Sequence, residues 1–221
     1  MKTLRIIVIA AMLLVATSAA MAQTAEVSYS RDYRWHGFNM FGDEYFHPAF
    51  ATSVQGIDIS AVSHIGQNHD DIEFWDTVVG YKLPCKGLNV SAGYGYFILP
   101  GVDAQEFSLT AQLEGTVSPR YTFAHIELDN ADGGDFHVLG ADIALGDPEA
   151  VAAVLMADVT YNDGVFGIEG WTHATAGLTV NVPVGDKIVF RPAVFYQHTI
   201  EEAIEPERNE VWYAVGMQYK F

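Results

Sequence analysis

The chain has 221 residues, with 28 acidic side chains against 11 basic ones and a formal net charge of −17. That excess of acid argues against nucleic acid or anionic lipid headgroups as partners. Half of the residues are hydrophobic and 13% are aromatic, rich for so acidic a chain, and an outer-membrane barrel reconciles the two through its apolar lipid belt, aromatic girdles and polar interior.

Met1 to Ala22 reads as a secretory leader. Lys2 and Arg5 make a basic start, Ile6 to Val15 an apolar run, and Ala20-Met-Ala22 a small-residue cleavage site before Gln23. The run is shorter than the roughly 20 residues that a spanning helix needs, and no lipobox cysteine follows. Residues 1–22 are therefore expected to form a cleaved signal helix and 23–221 a single domain. Loss of Lys2 and Arg5, with no acid lost, takes the charge from −17 to −19. Beyond the leader no apolar run is long enough for a transmembrane helix. The lone Cys85, in Leu83-Pro-Cys-Lys-Gly87, cannot form an internal disulfide and is read as incidental.

Twelve strand-like segments follow, separated by turn chemistry. They are Ala25–His36, His47–Gln55, Ile57–Ile65, Ile72–Leu83, Leu88–Leu99 and Gln105–Glu114, then Val117–Leu128, Asp135–Leu145, Val151–Tyr161, Glu169–Val182, Lys187–His198 and Glu210–Phe221. Several alternate cleanly, as side chains on a strand must. Leu88, Val90, Ala92, Tyr94, Tyr96 and Ile98 share a face, and Phe107, Leu109, Ala111 and Leu113 oppose Glu106, Ser108, Thr110, Gln112 and Glu114. The pattern predicts an all-β, antiparallel transmembrane β-barrel of about twelve strands; weak alternation in the third and seventh segments keeps ten as the alternative. An even count puts both termini on the periplasmic side. Connections after even strands should then be short turns, and those after odd strands longer outer loops, such as Gly37–Phe46, Pro100–Ala104 and Thr199–Asn209. The last segment carries Val211, Tyr213, Val215, Met217, Tyr219 and Phe221 on one face. Gly216, Tyr219 and the terminal Phe221 resemble the C-terminal signal read by the barrel-assembly machinery.

The first segment, Val27-Ser-Tyr-Ser-Arg-Asp-Tyr-Arg-Trp-His-Gly-Phe38, resembles the opening S-D-Y-x-x-R-G box of a bacterial outer-membrane family of conserved hypothetical proteins, the Gcw_chp type. Here Arg31 is inserted beside Asp32, and His36 stands where the box has arginine. Asp76-Thr-Val-Val-Gly-Tyr81, Gly93-Tyr-Gly-Tyr96 and Pro100 to Glu106 extend the similarity in order. The resemblance implies a barrel of undetermined function with no enzymatic residues to carry over.

If Val27, Tyr29, Tyr33 and Trp35 face lipid, then Asp32, Arg34 and His36 face the lumen. Asp76, Lys82, Glu106, Glu114, Arg120, Asp142, Asp158, Arg191, Glu210 and Lys220 join them from other strands. Such groups serve either as partnered charges that fill the barrel or as the wall of a polar pore. Twelve strands fall between eight, filled by side chains, and sixteen, which leave an aqueous channel. A narrow passive channel for small solutes or ions is thus the leading expectation, and a non-conducting structural or surface-binding barrel the alternative.

All eight histidines fall toward the outer end, among outer loops rich in Asp and Glu. His36, His47, His64 and His69 are the candidate ligands for loosely bound divalent cations; no other cofactor is expected. Ser63-His64 and Thr172-His173 set a hydroxyl beside an imidazole, but adjacent strand residues point to opposite faces, so no dyad and no enzyme is expected. Alternation aims Arg31 at lipid, unless a bulge near Ser30 turns it inward. The expected setting is the cell outer membrane, as a monomer, with lipid, the assembly machinery and small solutes as partners.

Overall fold

The computed structural model describes residues 23–31, 34–36, 38–39, 44–54, 57–66, 74–83, 86–99, 102–147, 150–200 and 209–221. The leader, Asp32, His69 and Cys85 lie outside the described residues. In chain order the strands are β1 (Gln23–Arg31), β2 (Arg34–Trp35), β3 (Phe38–Asn39), β4 (Glu44–Val54), β5 (Ile57–Gly66), β6 (Phe74–Leu83) and β7 (Leu88–Leu99). There follow β8 (Val102–Leu113), β9 (Val117–Leu128), β10 (Gly134–Gly146), β11 (Ala152–Asp163), β12 (Glu169–Val184), β13 (Ile188–Thr199) and β14 (Glu210–Lys220).

β1 and β4 to β14 form one closed barrel, each strand antiparallel to its neighbours, and β14 pairs with β1 to complete the ring. That makes twelve strands, not ten. Closure leaves no edge with unpaired backbone donors, the requirement for a sheet in an apolar medium. Large apolar side chains are exposed on the outside, among them Phe107, Leu109, Leu139, Leu155, Val194 and Met217. Polar side chains such as Ser30, His47, His64 and Gln197 are buried within. This arrangement is inside-out relative to a water-soluble barrel.

The first strand is shorter than the alternation suggested. It ends at Arg31, after which Arg34 pairs with Asn39 and Trp35 with Phe38 in a two-stranded hairpin of their own. His36 occupies the turn with φ 47°, a left-handed conformation uncommon outside glycine. Pairing of β1 with β4 runs unbroken from Gln23↔Thr52 to Arg31↔Glu44. No bulge therefore reaches Ser30, and Arg31 stays on the outer face, exposed and opposite Glu44.

The outer connection expected at Pro100–Ala104 contracts to residues 100 and 101, because Leu99 pairs with Val102 and Ile98 with Asp103. Two strand prolines show their missing donor on one side only. Beside Pro48 the β4–β5 ladder skips from Phe46↔Ile65 to Ala49↔Val62, and beside Pro192 the β12–β13 ladder skips from Thr179↔Ala193 to Val182↔Phe190. On their other sides both prolines keep paired neighbours, Val27 and Val215.

Candidate lumenal site

Inward positions of β9 to β14 line up in rows. Arg120, Gly140, Asp158, Thr175, Gln197 and Glu210 are successive cross-strand partners, forming a polar row across six strands. Two residues away along each strand runs a second row, in which Met156, Gly177, Phe195 and Trp212 are successive partners. The polar row holds an ion pair: Arg120 Nη2 lies 3.2 Å from a carboxylate oxygen of Asp158. These residues sit two strands apart, and the bridge passes over Gly140. A Cβ there would stand 2.8 Å from the Asp158 Cβ and 3.2 Å from Arg120 Nη2.

The same device recurs across the seam that closes the barrel. Arg191 Nη1 reaches Glu26 at 2.9 Å, with Gly216 on the strand between them. A Cβ on Gly216 would meet Glu26 Oε1 at 3.0 Å and the Ser28 Cβ at 3.4 Å. Glycine leaves the space above the intervening strand clear for two long side chains to meet. In the apolar row Gly177 lets the Phe195 ring lie flat, since a Cβ would collide with it. Phe195 stacks on Trp212 with centroids 5.2 Å apart and planes 19° from parallel. Gln112, another lumenal residue, donates to Asp142 at 2.7 Å, and Thr110 and Thr122 share a hydrogen bond of 2.9 Å.

These rows contribute to the lining of an open pocket of about 300 Å³. His36, carried by the small hairpin, closes one side of it: His36 Nε2 lies 2.8 Å from Glu106 Oε2, and its ring stacks on Phe136 at 4.5 Å. Toward the loop end the interior becomes apolar. Tyr45, Phe97, Ala104, Ile126, Phe136 and Val165 are buried there in one cluster. Val165 enters it from a single turn of 3-10 helix, Val165–Gly167, anchored by two hydrogen bonds to the Asn162 side chain.

The structure places Glu106, Arg120, Asp142, Asp158, Arg191 and Glu210 at inward positions, and His36 inside the barrel on the hairpin. Asp76 faces Val62 in the ladder and Arg34 lies in β2, but their side chains, and all of Asp32, are outside the described residues. Glu114 is exposed in the turn after β8 rather than on the wall. Among the described inward strand positions the acids Glu26, Asp58, Glu106, Asp142, Asp158 and Glu210 outnumber Arg120, Arg191 and Lys220.

The described histidines do not gather at one place. His47 and His64 point inward and are buried, with their Nδ1 atoms 2.7 Å apart, while His47 Nε2 lies 2.6 Å from Ser30 Oγ. Of the candidate metal ligands, His36 sits apart with Glu106, and His69 is outside the described residues. No group of three His, Cys, Asp or Glu that could hold a metal ion occurs among the described residues. The Ser30–His47–His64 chain escaped sequence reading because its members are 17 residues apart at each step, and only strand register unites them.

The rule that separated Thr172 from His173 also needs correction. The register between β11 and β12 shifts between Thr160 and Tyr161, which leaves Thr172 as an extra residue. Thr172 Oγ1 then lies 2.9 Å from His173 Nδ1 and donates to the Thr160 carbonyl at 3.2 Å.

The architecture is that of the porin barrels. The KdgM porin aligns with a TM-score of 0.63 at 11% identity over 90% of this chain and 99% of its own. The NanC porin aligns at 0.62 and 10% identity, over 90% and 100%. A bacterial polysaccharide outer membrane secretin aligns at 0.54 and 7% identity, over 91% and 98%. At such identities the likeness is one of fold. No family model matches the chain, and no curated protein matches its sequence.

Proposed function

We propose that this chain is an outer-membrane barrel forming a narrow passive channel for small solutes, with a preference for cations. The observation that carries the reading is the lumenal wall: its described inward strand positions hold more acids than bases, with the Arg120–Asp158 and Arg191–Glu26 pairs among them, and a pocket of about 300 Å³ lies against it. A wall of one predominant sign favours ions of the other. One structure of the KdgM porin is described as a complex with oligogalacturonate. A net charge of −17 here opposes passage of such a polyanion.

In this reading residues 1–22 are the leader, and Gly216, Tyr219 and Phe221 present the assembly signal. The outward belt of Phe, Leu, Val and Tyr meets lipid, and the barrel works as a monomer without enzymatic chemistry. The opening motif, Val27 to Phe38, supports reading the chain as a relative of the Gcw_chp-type barrels. Purified barrel in planar bilayers tests the reading through discrete conductance steps and the reversal potential in a salt gradient. A second reading, a non-conducting barrel that presents its loops, draws on the apolar cluster of Tyr45, Ile126, Phe136 and Val165 filling the outer end. It predicts folded barrel without current.

A further inference from the structure

The cavity is amphipathic in a regular way. Its polar row presents Arg120, Asp158, Thr175 and Gln197, and its apolar row presents Met156, Phe195 and Trp212. The rows are two residues apart along each strand, about 6.6 Å at the usual rise, which is close to the width of a six-membered ring. Of the lining residues, Arg120 and Asp158 are already paired with each other. The Arg120 guanidinium, which lines the pocket and spends Nη2 on Asp158, has further N–H donors beyond that bond. The volume is at the small end of the range of roughly 300–1,000 Å³ typical of ligand sites.

We infer that the cavity is a binding station for one ring of a neutral, polyhydroxylated solute of the sugar class. Such a ring has an apolar C–H face that fits the Phe195–Trp212 ledge. Its rim of hydroxyls can donate to Gln197 and Asp158 and accept from Arg120 and the threonines. A free ion gains less here, because it must compete with the Arg120–Asp158 pair. Gly140 and Gly177 hold the two rows open by letting the ion pair and the Phe195 ring lie against the wall. The inference rests on the channel reading and adds to it a neutral solute held at this one station, apart from the cations that the acid-rich remainder of the wall favours, and binding itself can be measured without any membrane.

Purified, folded protein in detergent would be titrated with D-glucose and methyl α-D-glucoside, with D-glucuronate as the charged comparison. Heat and tryptophan fluorescence report the outcome. The expected result is saturable binding of both neutral sugars and weaker binding of glucuronate. Trp212→Leu should weaken the neutral sugars about two- to tenfold, the worth of one aromatic face. Thr175→Val, a near-isosteric change that keeps the barrel intact should Trp212→Leu misfold, should also weaken binding. The inference is overturned if neither sugar gives a saturable signal with folded barrel. Equal binding of glucuronate, or binding unchanged in Thr175→Val, overturns it too. Sugar binding with silent bilayers would sink the channel and leave the site; conductance without sugar binding would do the reverse.

Discussion

Gly140 lies beneath the Arg120–Asp158 bridge and Gly216 beneath the Arg191–Glu26 bridge, each on a strand flanked by two long side chains that meet above it. A methyl at position 140 would press within 2.9 Å of the Ala157 carbonyl as well as the Asp158 Cβ. Gly140→Ala should therefore destabilise the barrel by about 1–3 kcal/mol, the usual range for overpacking, seen as a lower thermal midpoint in detergent. Gly80→Ala is the control, since among the described residues its Cβ would meet only the Ala92 carbonyl, at 3.7 Å; its effect should stay within about 0.5 kcal/mol. Alternation alone was sufficient to turn Glu106, Arg120, Asp142, Asp158, Arg191 and Glu210 inward. What it could not supply is who meets whom, because each bridge spans strands whose register is decided around the whole ring. Replacing one partner and then both exposes that coupling. Arg120→Met should cost about 1–3 kcal/mol by stranding a partly buried carboxylate, and adding Asp158→Leu should recover part of the loss.

Among the elements, the hairpin of β2 and β3 departs furthest from its expectation as a continuation of β1. The segment alternates well enough to pass for wall, and the signal of its departure is weak: a His-Gly pair at 36–37 with turn character. Inside the barrel it places His36 against Glu106 and Phe136. His36→Ala removes a ring from the edge of the cavity, and single-channel current should rise relative to the parent without loss of folded protein. The bulge at Thr172 was equally hidden, since an extra residue in a strand leaves the composition of its two faces nearly unchanged. At the chain end the pattern was plain. Val211, Tyr213, Val215, Met217 and Tyr219 face outward on β14, and the terminal Phe221 packs edge-on against Tyr219. If these residues present an assembly signal, deleting Phe221 should sharply lower the amount of heat-modifiable barrel recovered from outer membranes. The purified variant, refolded in detergent, should keep its thermal midpoint.

For the whole molecule, the strand count was legible because antiparallel closure demands an even number and turn chemistry is local. The interior was less so. Twelve strands enclose a lumen wide enough to hold both the hairpin and the paired wall, and side-chain length alone does not say which space remains. The outcome is a lumen with an apolar outer end over a polar, acid-rich wall. Whether solutes pass it is the central claim, and single-channel recording of the purified barrel in planar bilayers addresses it most directly. The account predicts reproducible small steps with a reversal potential displaced toward cation selectivity in a salt gradient. Bilayers that stay silent after insertion of demonstrably folded protein would contradict it.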